Sequence, residues 1–162
     1  MPRHSNRRHG FCPISAASKE GRDPSVFDRA DDDSLSWAVS ILYSSHAKRW
    51  QRRGLPGVFE TPQKRAFYRE AFRLLKRSAA VELFILSLEN VPIAALAAFL
   101  KNAVFYYYIG AFDPDYSRLS PGNLIILEAM RFARSIGCHV FDFLGGDEPL
   151  NIDGGARPED RH

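Results

Sequence analysis

Cysteine is scarce in this chain: Cys12 and Cys138 are the only two in 162 residues, far apart and without a C-x-x-C partner. That spacing supports neither a disulfide framework nor a zinc knuckle, and it fits a reducing compartment. His4, His9, His46 and His139 include no pair at the i, i+4 spacing of a helix-borne site, so no metal is expected. Long apolar runs are missing too. The longest, 91–109, is broken by Lys101-Asn102, whereas a spanning helix needs ~20 continuous apolar residues. No apolar segment follows Arg3, Arg7 and Arg8, so a secretory signal is not expected and the reading is a cytoplasmic protein.

Net charge is small as well: 22 Lys and Arg against 19 Asp and Glu leave +3, too little to imply nucleic acid. Its distribution says more. Residues 46–80 carry +8 and residues 81–162 carry −5, while residues 1–33 balance. One basic block beside a mildly acidic half suits an anionic ligand better than a duplex contacted everywhere. With 45% hydrophobic and 25% charged residues, the chain has the means to bury one core, so a single globular unit is expected.

Residues 1–33 lack a periodic apolar pattern and end in Asp31-Asp32-Asp33, which predicts a disordered or loosely attached tail. A helix is predicted from Ser34 to Arg53, with Trp37, Ile41 and Leu42 on its apolar face, stopped by Gly54-Leu55-Pro56-Gly57. A second opens at Thr61-Pro62, with Phe67, Ala71, Leu74 and Leu75 on one side and Lys64, Arg65, Arg69, Arg73 and Lys76 on the other. Three short runs follow, 81–88, 93–99 and the aromatic 104–109, separated by Glu89-Asn90 and Lys101-Asn102. They predict a three-stranded antiparallel meander.

Beyond Asp113-Pro114-Asp115, a helix is expected from Ser120-Pro121 to Gly137, with Ile125, Ala129, Phe132 and Ile136 facing inward, then a strand over 139–143. A strand, a helix and a short strand make a βαβ crossover with parallel neighbours. The fold class is therefore α+β (α/β), a mixed sheet in the order α-α-β-β-β-α-β. The domain spans 34–149, and 150–162 is an irregular tail.

The loop Arg118-Leu-Ser-Pro-Gly-Asn123 opens the crossover helix. Ser120 and Pro121 are explained by capping alone. Gly122 is not, because glycine within a helix costs ~1 kcal/mol relative to alanine. It permits close approach of a ligand to free backbone N–H groups, which with the helix dipole form an anion site, and Arg118 adds a charge-assisted contact. Plain capping and an anion site both fit.

The meander, the tyrosine-rich strand, Arg118-x-Ser120-Pro121-Gly122, the helix and Asp142-Phe-Leu-Gly-Gly-Asp-Glu-Pro149 together resemble the GNAT-fold acyltransferases of the FemAB-like and cellulose-biosynthesis (CelD-type) group. His46-Ala-Lys-Arg-Trp50 and Phe67-Tyr-Arg-Glu70 fit the same group, so the resemblance covers roughly 34–149. It implies a GNAT-like sheet and an acyl-CoA co-substrate, acetyl-CoA or another. The pyrophosphate would lie on Arg118, Ser120, Pro121, Gly122 and Asn123, and the pantetheine arm between two splaying parallel strands. The implied reaction is direct attack of an amine or hydroxyl, of a small molecule or envelope precursor, on the thioester.

Such chemistry needs a base and donors for the oxyanion. A backbone N–H near Tyr107 or Tyr108 is the candidate donor, with a tyrosine hydroxyl, Tyr108 foremost, serving the leaving thiolate. Asp142, Asp147 and Glu148, at or past the end of the last strand, are the candidate bases. Aromatic packing accounts for at least two of Tyr106, Tyr107 and Tyr108, since alternation sends neighbours to opposite faces. Where relatives continue with Tyr-Lys and Trp, this chain has Leu150-Asn-Ile-Asp-Gly154, which leads to the expectation that the fold is truncated at its C-terminus.

Two other readings use the same residues. An inactive GNAT-like remnant would act as an interaction module, associating, even with itself, through an open sheet edge. The basic block at 46–80 would bind nucleic acid, although a solvated helix face explains its charge more simply.

Overall fold

The computed structural model describes residues 25–145. Its elements are β1 (Ser25–Arg29), α1 (Leu35–Gln51), α2 (Pro62–Arg77), β2 (Val81–Leu88), β3 (Val91–Lys101), β4 (Val104–Phe112), a 3₁₀ turn (Pro114–Leu119), α3 (Pro121–Ser135) and β5 (Val140–Asp142). One five-stranded sheet runs in the order β1-β2-β3-β4-β5. The first three pairings are antiparallel, and β4 with β5 is parallel. The mixed sheet and its single crossover agree with the sequence reading.

Helices cover both faces of the sheet. Leu35, Val39 and Leu42 of α1 and Phe72 of α2 pack with Leu83, Ile85, Ala95, Ala97 and Ala111 on one side. Ile125, Ala129 and Phe132 of α3 pack with Phe84, Leu86, Leu96 and Phe105 on the other. That two-sided burial explains why β2 and β3 read as continuous apolar runs rather than alternating ones. At the hairpin between them Glu89 and Asn90 both have positive φ, 48° and 68°, the twist-matched conformation of a two-residue turn.

Three expectations are corrected. Residues 25–29, assigned to the tail, form edge strand β1, whose Phe27 stacks on Phe84 at 4.9 Å. Five residues are too few to show a period, and the strand exists because β2 offers it an edge. On α1, Trp37 is exposed while Leu35, Ala38, Val39, Leu42 and Tyr43 face inward. On α2, Phe67 is 67% exposed and Leu74 52%, whereas Phe72 is 1% exposed. The helix turns about one position from the expected face, because Tyr68, Phe72 and Leu75 meet the cluster beneath it. The expected C-terminal tail and truncation, residues 1–24, and Asp147 and Glu148 lie outside the described residues.

Candidate functional site

Strand β5 accompanies β4 for only three residues, pairing Val104, Phe105 and Tyr106 with Val140, Phe141 and Asp142. From Tyr107 to Phe112 that edge of β4 has no strand partner among the described residues. A row of backbone N–H and C=O groups is thereby left open where the two parallel strands diverge.

On its other side β4 is bulged. Ala97 pairs with Ile109 and Ala98 with Tyr107, so Tyr108 is the extra residue opposite no partner. A bulge re-aims side chains. Here Tyr107 packs with the α3-side cluster and Tyr108 with the α1 and α2 side. The Tyr108 hydroxyl donates to the Tyr68 hydroxyl at 3.2 Å. Burial, followed by that bond, pushes the Tyr108 phenol up to about 12. Tyr107 turns along the strand, so that a Cβ at Gly110 would lie 2.3 Å from its hydroxyl. Its ring approaches Phe143 at 5.7 Å.

The loop after β4 is fastened to α1. Lys48 Nζ reaches Asp113 at 2.6 Å and also pairs with Asp115, which Arg52 contacts as well. These cations draw the Asp115 carboxyl below its ordinary value. The same loop carries the predicted cradle. Arg118 is exposed at the end of the 3₁₀ turn. Ser120 occupies the N-cap position in the left-handed region, φ 50°, and its side chain makes no capping bond, contrary to the simple capping expectation. Its carbonyl instead accepts from the Asn123 and Leu124 N–H groups at 3.0 and 3.1 Å. Pro121 is buried and has no N–H, so the Gly122 N–H heads the helix without an intrahelical acceptor. A Cβ at Gly122 would stand 3.2 Å from the Phe112 ring. Glycine therefore also lets α3 close on the end of β4, a packing reason absent from the helix argument.

Asp142, the last residue of β5, is exposed and accepts from the Leu144 N–H at 2.8 Å. It marks the divergence of the strands, opposite Tyr106. No acidic, His or Cys group of three suited to a metal occurs among the described residues.

Some residues at this site escaped the sequence reading. Tyr68 was legible only as part of the Tyr68, Phe72, Leu75 helical spacing. Arg49 projects from α1 with its guanidinium 4.9 Å from the centre of the Phe112 ring. Next to it His46 is 5% exposed, its Nδ1 buried without a hydrogen-bond partner, and it packs on Trp50 and Phe59. Burial, and secondarily Arg49, hold this imidazole below its ordinary pKa. His46 also lines a cavity of about 520 Å³ at the α1–α2 junction, with Trp50, Leu55, Phe59 and Arg65 among others.

A family model described as an acetyltransferase (GNAT) domain matches residues 15–150. No curated protein sequence matches the chain significantly. Among solved structures, an aminoglycoside acetyltransferase from an uncultured soil metagenomic sample, in complex with sisomicin, superposes with a TM-score of 0.60 at 16% identity, covering 86% of this chain and 94% of that one. FemX gives 0.62 at 12% identity over 82% of this chain, which spans 47% of FemX. The PaiA N-acetyltransferase of Thermoplasma acidophilum, in complex with coenzyme A, gives 0.50 at 12% identity, covering 70% of this chain and 74% of that one. At these identities the structures establish likeness of fold.

Proposed function

The chain belongs to the GNAT acetyltransferase family, and from that membership we propose that it transfers an acyl group from acyl-CoA, acetyl-CoA foremost, to an amine or hydroxyl acceptor. The observation that carries the reading is the β5-side edge of β4, without a strand partner from Tyr107 to Phe112 among the described residues and ending at the ring on which Gly122 of the first α3 turn closes. An extended amide-bearing arm can hydrogen-bond to such an edge as an added strand would. At its far end the Gly122 N–H, the Asn123 side chain and Arg118 hold the diphosphate, with Ser120 and Pro121 fixing the turn that presents them.

Acyl-CoA supplies the thioester carbonyl that the acceptor attacks. A backbone N–H at the Tyr107–Tyr108 bulge donates to the developing oxyanion, which a bulge can offer because its groups are released from the β3 ladder. Tyr108 remains protonated, and its one hydroxyl proton turns from the Tyr68 oxygen toward the departing sulfur, with Tyr68 free to donate to Tyr108 in return. One carboxylate of Asp142, Asp147 and Glu148 takes the acceptor's proton. The FemAB-like and CelD-type affinity is part of the same reading, supported by the sequence motifs around Arg118–Asn123 and Asp142–Pro149.

Calorimetric titration with acetyl-CoA tests it. The wild type should bind, and Gly122→Glu, which sets a carboxylate where the diphosphate belongs, should weaken binding at least about tenfold. A folded wild type that does not bind acetyl-CoA ends the reading.

A further inference from the structure

We infer that Arg49 is a second binding residue for the diphosphate, reaching it from the opposite side of the sheet to α3; the inference rests on the acyl-CoA reading above. Three cations lie close together at the end of α1: Lys48 and Arg49 in its last turns and Arg52 at its C-cap. Lys48 and Arg52 are matched by Asp113 and Asp115. Arg49 has neither a carboxylate nor a hydrogen-bond acceptor among the described residues, although its side chain is half-buried. A cation withdrawn from water without a counter-ion is costly, and an arriving anion offsets that cost.

Its direction is equally specific. Helix α1 packs on the face that carries Ala95, Ala97 and Ala111, whereas Tyr107 and Phe112 belong to the α3 face. A guanidinium that leaves α1 and ends over the Phe112 ring therefore passes from one face of the sheet to the other. It does so where the β5-side edge of β4 has no strand partner among the described residues, beside Tyr107, whose phenol it influences electrostatically. The ring that Arg49 covers is the one against which Gly122 closes. The unmatched cation and the free N–H of the α3 first turn thus converge on one residue from two elements. Guanidinium suits phosphoryl oxygens, which it can bind in pairs. The ion pairs of Lys48 and Arg52 hold the helix to the loop that carries Gly122, so this approach is fixed before any ligand arrives.

The test compares wild type, Arg49→Gln and Arg49→Lys, each confirmed as folded by circular dichroism. Coenzyme A and inorganic pyrophosphate are titrated calorimetrically, and pantetheine, which lacks the diphosphate, by NMR. Arg49→Gln should weaken coenzyme A and pyrophosphate by about tenfold or more, the size expected for a charged hydrogen bond, and leave pantetheine within about twofold. Arg49→Lys should fall between. Unchanged coenzyme A affinity in Arg49→Gln overturns the role of Arg49 and leaves the acyl-CoA reading standing. An equal loss for pantetheine also overturns it, since Arg49 would then only shape the groove. Pyrophosphate binding that depends on Arg49, without coenzyme A binding, supports the anion site and removes the acyl-CoA reading. Wild type that binds neither overturns both.

Discussion

Tyr108 shows how one residue's environment limits the chemistry available to it. Its phenol sits at about 12, whereas a thiol lies near ~8.5. A full proton transfer from this phenol to a thiolate runs uphill. Its role is therefore to redirect its hydroxyl proton from the Tyr68 oxygen, which it meets at 3.2 Å, to a hydrogen bond with charge developing on sulfur. Removing that donor should lower kcat of acetyl-CoA turnover with a primary-amine acceptor by about tenfold to a hundredfold, below the ~10²–10⁴ of a complete general acid. Tyr108→Phe should leave KM for acetyl-CoA unchanged, and wild-type kcat should show no alkaline limb from this group up to about pH 10. An unaltered kcat in Tyr108→Phe would assign the phenol to packing alone. In the sequence, strand alternation assigns Tyr106, Tyr107 and Tyr108 to opposite faces but says nothing of their partners. The bulge separates their roles, and it arises from the register of β4 on β3, with Tyr107 packed on one face of the sheet and Tyr108 on the other.

Among the elements, α2 gives the sharpest contrast between pattern and packing. Its apolar residues suggest a face through Phe67 and Leu74, yet both are exposed and Phe72 is the residue driven into the core. Aromatic contacts set the rotation: Phe59 lies edge-on to Tyr68 at 5.1 Å, and Tyr68 approaches Phe72 at 6.1 Å. Tyr43 also donates from α1 to the Arg65 carbonyl at 2.7 Å. Chemical denaturation should show Phe72→Ala losing ~3–5 kcal/mol. Phe67→Ala should stay within about 0.5 kcal/mol of wild type. The reverse order would mean that the helix sits on the face its sequence suggests. On α3, Ile125, Ala129 and Phe132 are buried as their spacing suggests, but Ile136, expected on the same face, is the C-cap after Ser135 and is 47% exposed, because the helix ends before it can be carried inward. Its N-cap differed because Ser120 adopts positive φ, a backbone choice imposed by the preceding turn.

For the whole molecule, the buried His46 links site and stability. Its folded pKa lies below the ordinary 6.5 through burial and Arg49, so the unfolded chain binds the proton more readily. Its contribution is complete above about pH 6.5 and fades as pH falls through the lower folded value. Thermal unfolding should show Tm declining from pH 7.5 to pH 5, and His46→Gln should flatten that decline. An unchanged slope would place the acid sensitivity elsewhere. The packing that enforces this is tight, since a Cβ on Gly57 would lie 2.7 Å from the imidazole.

The sequence by itself determined the mixed sheet, the meander, the crossover and the loop that opens α3. Each of these is written in local periods and turn residues, which act over a few positions. Tertiary structure decided the rest: edge strand β1, the inward face of α2, the bulge at Tyr108 and the placement of the Arg49 guanidinium over the Phe112 ring. Each depends on which surfaces meet, for the bulge within one hairpin packed on both faces and for the others across longer stretches of chain. A strand pairing or an unmatched charge is a property of two partners, and one local pattern can describe only one of them.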